Sequence, residues 1–111
     1  MSGDDAIAVF LTAPNGEEAT RLADLLIGAQ LAACVQILPE MESVYRWQGK
    51  IADEQEAVVL LKTRSARLET LQLAFAELHP YKVPELLALP VTAGNAKYLE
   101  WINGETTLAL A

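Results

Sequence analysis

The densest run of reactive side chains in the sequence is His79-Pro80-Tyr81-Lys82-Val83-Pro84-Glu85. Imidazole, phenol and carboxylate all carry protons or bind divalent metal ions, and Lys82 adds a cation that attracts anions. The prolines stiffen the segment, and Pro80 pushes His79 towards extended backbone. Two readings are open. In one, the prolines shape a turn and His79 simply ends a helix. In the other, His79 and Glu85 project into a cleft and hold a divalent cation, or an anion with help from Lys82.

Other residues could join such a site. Tyr45 and Trp47 are two apart in a β-rich stretch, so they share one strand face. They serve either as cross-strand packing or as an aromatic wall of a pocket between subunits. Lys62 interrupts an apolar strand; if buried it needs a carboxylate such as Glu56 or Glu85, and a solvated strand end explains it as well. Cys34 is either an inert buried thiol or a soft metal ligand whose partners come from other strands or subunits. Asp53, Glu54 and Glu56 follow a hairpin turn and read as a solvated edge, with a loose cation site as the lesser reading.

Several chemistries are excluded. The chain has no glycine-rich phosphate loop, no His-Glu-x-x-His and no paired cysteines at metal spacing. A serine triad would have to use His79, the one histidine, and nothing around it supports that. No enzyme is expected. The formal net charge of −7 disfavours nucleic acid, which is gripped by clusters of Lys and Arg. The single cysteine rules out an intrachain disulfide and agrees with a reducing compartment, so a cytoplasmic protein is expected. No apolar run is long enough to span a bilayer, and no membrane partner is expected.

The elements that must position these residues follow from periodicity. Ala6 to Thr12 is a strand apolar on both faces. Asn15 caps a helix, with Glu18 in capping-box position and Ala19, Leu22, Ala23, Leu26 and Ile27 on the core side. A strand runs from about Leu31 to Ile37, is interrupted or bulged at Pro39 and resumes over Ser43–Trp47. Gln48-Gly49-Lys50 turns the chain into a third strand that is strongest over Ala57–Thr63. Ser65 is expected to cap a second helix with a stripe of Leu68, Leu71, Phe75 and Leu78, stopped by Pro80. A fourth strand, Leu86–Val91, and a short helix over Asn95–Ile102 complete the chain. Residues 1–5 read as a disordered tail and 6–111 as one domain.

The order β-α-β-β-α-β with a C-terminal helix is the ferredoxin-like α+β arrangement, an antiparallel sheet with both helices on one face. Just over half the residues, 52%, are apolar. Strands apolar on both faces exceed what one copy covers, so the sequence predicts self-association across the open sheet face.

The motifs, taken together, carry a resemblance. Phe10-Leu11-Thr12-Ala13-Pro14, Leu31-Ala32-Ala33-Cys34-Val35, Ser43 through Ile51, Lys62-Thr63-Arg64, His79-Pro80-Tyr81 with Val83-Pro84-Glu85, and Tyr98-Leu99-Glu100-Trp101 occur in that order. They resemble the CutA divalent-cation tolerance family along nearly the whole chain. The resemblance implies a tight homotrimer, similar in plan to the PII signalling proteins. It also implies a role in divalent-cation tolerance, with copper the ion associated with the family. Of three positions proposed as copper ligands in some members, Leu11 and Leu78 occupy two here and His79 the third. The implied metal binding is therefore of modest affinity, with His79 and Cys34 as candidate ligands near a subunit interface. The alternative is a PII-like module with a small-ligand pocket between subunits, formed by Tyr45, Trp47, Lys62, His79, Tyr81 and Glu85.

Overall fold

Ile7, Val9, Leu11 and Ala13 alternate along β1 (Ala6–Ala13) and are all buried. Across the ladder they meet Thr63, Leu61, Val59 and Ala57 of β3 (Lys50–Arg64), none of which reaches solvent. This pair is the centre of a four-stranded sheet in the order β2-β3-β1-β4, in which each neighbouring pair is antiparallel. β2 (Cys34–Trp47) and β4 (Leu86–Pro90) form the two edges. The computed structural model describes residues 5–78 and 82–107.

α1 (Gly16–Gly28) and α2 (Leu68–Leu78) cover one sheet face, because each brings an apolar stripe that only a core can accept. From α1 come Ala19, Leu22 and Leu26, and from α2 come Leu71 and Phe75. Ile27 and Leu78, expected in these stripes, lie at their margins and are exposed. The Glu18 N–H donates to Asn15 Oδ1 at 2.9 Å and starts α1. The Glu18 carboxylate does not close the box; it pairs with Arg21 at 3.1 Å. Gln30, with φ 58°, turns the chain out of the helix after Gly28.

One expected cap is corrected. A 3-10 turn over Ser65–Arg67 precedes α2, and its cap position is Arg64, not Ser65. Ser65 has already entered the turn, and its N–H extends the β3–β1 edge by donating to the Asp5 carbonyl at 2.8 Å. The expected stop at Pro80 lies outside the described residues.

β2 and β3 reach well past the rest of the sheet. β1 ends its pairing at Ala13↔Ala57, while β2 and β3 continue as a two-stranded arm through Trp47↔Lys50. Gln48 and Gly49, with φ 50° and 78°, close the arm in the left-handed turn that matches strand twist. The interruption expected at Pro39 is a register shift between Leu38 and Met41 inside one continuous strand.

α3 (Ala96–Glu105) is capped by Asn95, which accepts from the Tyr98 N–H at 3.1 Å. It lies over the opposite sheet face, at the end where Cys34, Lys62 and Arg64 are. The buried Ile102 is its anchor. Beyond α3 that face exposes Leu87 and Leu89, paired with Phe10 and Ala8, at 58% and 50%.

Candidate functional site

The register shift in β2 decides which side chains share the open face. Before it, Cys34, Gln36 and Leu38 pair with Lys62, Leu60 and Val58. After it, Met41, Ser43, Tyr45 and Trp47 pair with Glu56, Glu54, Ala52 and Lys50. β3 keeps strict alternation throughout, so its even-numbered residues all point to one side. In β2 the same side passes from even to odd numbers across the shift. Tyr45 and Trp47 are thereby brought onto the face that carries Glu54 and Glu56.

This arm and the chain entering β4 enclose a cleft of about 580 Å³. The β2–β3 arm contributes Tyr45, Trp47, Ala52, Glu54 and Glu56, and β1 contributes Thr12. Lys82, Val83 and Glu85 close the other side. Glu85 falls here because Leu86 pairs with Leu11, so the preceding residue is carried alongside Thr12 on the open face. A second pit, about 50 Å³ between α1 and α2, is too small for more than water.

The cleft is acidic, with the aromatic rings of Tyr45 and Trp47 in its wall. The Glu54, Glu56 and Glu85 carboxylates face the single Lys82 ammonium. Lost water contact, and then the hydrogen-bonded Glu54 carboxylate, push the Tyr45 phenol pKa above its usual value. Glu56 is only 8% exposed, although carboxylates are rarely buried without a partner. A cleft of this volume, with one apolar wall and a few polar groups, has the dimensions of a small-molecule site.

Tyr45, Trp47 and Glu85 therefore line one cavity. Lys62 does not line it. It sits between Ala8 and Cys34 in the register, and its Nζ donates to Gln36 Oε1. Cys34 is half-buried beside Tyr98 of α3, whose phenol pKa is raised first by lost water contact and then by the neighbouring sulfur. The Cys34–Lys62–Ala8 row lies four β1 residues from Thr12, roughly 13 Å at the rise of a strand. Cys34 and the cleft are thus separate places on one face. His79 and Tyr81 lie outside the described residues. Among the described residues, no three His, Cys, Asp or Glu side chains converge as a metal-holding set.

The sequence reads Glu54 and Glu56 as a solvated edge; Glu54 is exposed, Glu56 is buried, and both line the cleft. The signal was available: they alternate with Val58, which lies on the same strand face. Asp53 pairs with Val44 on the other face of the arm, away from the cleft. Thr12 had no sequence signal of its own, since its place depends on how β1 meets the arm, whereas Lys82, read from the sequence as a helper to Glu85, lines the cleft with it.

A profile described as CutA1 divalent ion tolerance protein matches residues 7–105. The chain is 45% identical over 101 residues to the chloroplastic protein CutA of Arabidopsis thaliana, covering 91% of this chain and 56% of that one. It therefore spans about half the length of the plant relative. The divalent-cation tolerance protein CutA of Thermus thermophilus is 43% identical over 98 residues, 88% of this chain and 95% of its own. The crystal structure of CutA1 from Oryza sativa superposes with a TM-score of 0.90 at 44% identity, covering 95% of this chain and 96% of that one.

Proposed function

Because the chain belongs to the CutA1 family of divalent ion tolerance proteins, we propose that it acts in divalent-cation tolerance as a homotrimer that binds the ions themselves. Binding is of modest affinity, copper is the foremost ion, and the site lies near the boundary between copies. His79 is the first candidate ligand and Cys34 the second. The reading is of a cytoplasmic binding protein and not an enzyme.

One observation carries the assembly. Leu87 and Leu89 on the sheet face and Trp47 on the arm expose apolar surface beside a cleft that one chain leaves open. Covering such surface with further copies stabilises association. It also brings donors from different chains together. That matters because the described residues of one chain hold no converging set of three donors. Modest affinity follows from a site with few ligands of one chain.

Calorimetry with copper and zinc tests the binding. The expected result is saturable uptake by the assembled protein, weakened by His79→Ala and less by Cys34→Ser. Absence of uptake, or uptake indifferent to both substitutions, overturns the metal reading.

The second reading is a PII-like module whose cleft takes a small organic ligand. It is favoured by the 580 Å³ cleft, which far exceeds what an ion needs, and by the buried Glu56 at its wall.

A further inference from the structure

We propose that the cleft is a site for an organic cation of the alkylammonium class, its charge paired with Glu56 and its carbon groups held against Tyr45 and Trp47. The proposal rests on the small-ligand reading of the cleft and names the ligand's chemistry.

Three features point to this class. The first is Glu56. It lines the cavity, is 8% exposed, and forms neither a hydrogen bond nor an ion pair with another described residue. A carboxylate so little exposed is stable only with water or a cation beside it, and the open side available to it is the cleft. Glu54, by contrast, already engages the Tyr45 phenol.

The second is net charge. Three carboxylates against one ammonium leave two negative charges in the lining. An anion would meet repulsion there, whereas a cation gains from the field focused into a low-dielectric wall.

The third is the aromatic pair. Tyr45 and Trp47 stand on one strand face and contribute π surfaces beside the carboxylates. Tryptophan is the strongest aromatic partner for a cation, and alkylated ammonium ions are weakly hydrated, so they give up water readily to such a wall. A bare metal ion is served differently. It needs several oxygens at bonding distance, and the acidic side chains here do not converge.

The test uses the assembled protein in a Trp101→Phe background, which leaves Trp47 as the sole tryptophan. Tetramethylammonium is titrated while Trp47 emission is followed, with neopentyl alcohol as the uncharged isostere and sodium chloride as the ionic control. The expected result is a saturable response to tetramethylammonium, at least about tenfold weaker for the alcohol. Glu56→Gln weakens cation binding about tenfold while circular dichroism stays unchanged. Should Glu56→Gln unfold the chain, calorimetry on Trp47→Leu, with its assembly checked by sedimentation against the parent, shows the same loss. Equal binding of alcohol and cation overturns the ammonium assignment and leaves a ligand cleft without charge selection. No saturable response to either, by fluorescence or calorimetry, overturns both this assignment and the small-ligand reading.

Discussion

Arg64, the last residue of β3, donates its Nε–H to the backbone carbonyl of Thr106, the C-cap of α3, at 3.2 Å. The bond joins the end of a central strand to the end of the helix that lies over the open sheet face. Thr106 is fully buried, and its hydroxyl donates to the Ile102 carbonyl at 2.8 Å. The last turn of α3 is thus tied to the sheet and to itself. This tie holds Tyr98 over Cys34 and keeps α3 at the end of the face away from the cleft.

Arg64→Ala is expected to lower stability by about 1–2 kcal/mol, the worth of a charge-assisted bond with its packing. The effect should concentrate in α3. Hydrogen exchange would show faster opening of residues 96–105 and little change in α1. Uniform exchange across both helices would contradict this assignment.

Thr63 presents the opposite case. It is fully buried on the helix-covered face opposite Ile7, and its hydroxyl has no hydrogen-bond partner among the described residues. Valine has nearly the same shape without the polar atom. Thr63→Val is therefore expected to raise stability by about 1 kcal/mol, since an unsatisfied buried hydroxyl is removed. Denaturant midpoints at constant slope measure the gain, and a loss would mean the hydroxyl has a partner in solution.

The two perturbed tyrosines make a prediction at alkaline pH. Tyr45 and Tyr98 both have pKa values above the ordinary 10.0. At pH below 10 neither the folded nor the unfolded phenol ionises, so stability does not depend on them. Above it the unfolded chain loses those protons first, and folding stability falls as pH rises towards the folded values. Ultraviolet titration of the phenolate should show late-ionising groups that vanish in Tyr45→Phe and Tyr98→Phe. Cys34→Ala should bring Tyr98 down towards normal by removing the neighbouring sulfur, and Glu54→Gln should do the same for Tyr45.

The open sheet face predicts the state of assembly. Leu87→Glu with Leu89→Glu places two charges per copy where the proposed trimer buries leucine. Sedimentation is expected to give a trimer for the parent chain and a smaller species for the double variant, with association weakened by at least about 2 kcal/mol per copy. A parent chain that sediments as a monomer would overturn the trimer, and an undisturbed trimer in the variant would place the interface elsewhere.

The element order, the antiparallel ferredoxin-like sheet and the α1 cap were legible in the sequence, because they depend on local spacing. Continuous apolar runs in β1 and β3, period-three-and-a-half stripes in α1 and α2, and Asn15 three residues before Glu18 each act over a few residues. The apolar excess likewise announced the apolar side chains that one chain leaves exposed on its sheet, Leu87 and Leu89. Local pattern did not determine where the arm's acids point. Glu54 and Glu56 are a solvated edge if the hairpin stands alone, and a cleft wall once Thr12 and Glu85 are paired alongside. The shift between Leu38 and Met41 then turns Tyr45 and Trp47 onto that same wall. It was the tertiary structure, too, that parted Lys62 and Cys34 from the cleft, since strand register sets distance along a sheet and register is fixed by long-range pairing. Side-chain chemistry is written residue by residue, but a site is a coincidence of strands far apart in sequence, and only folding brings that about.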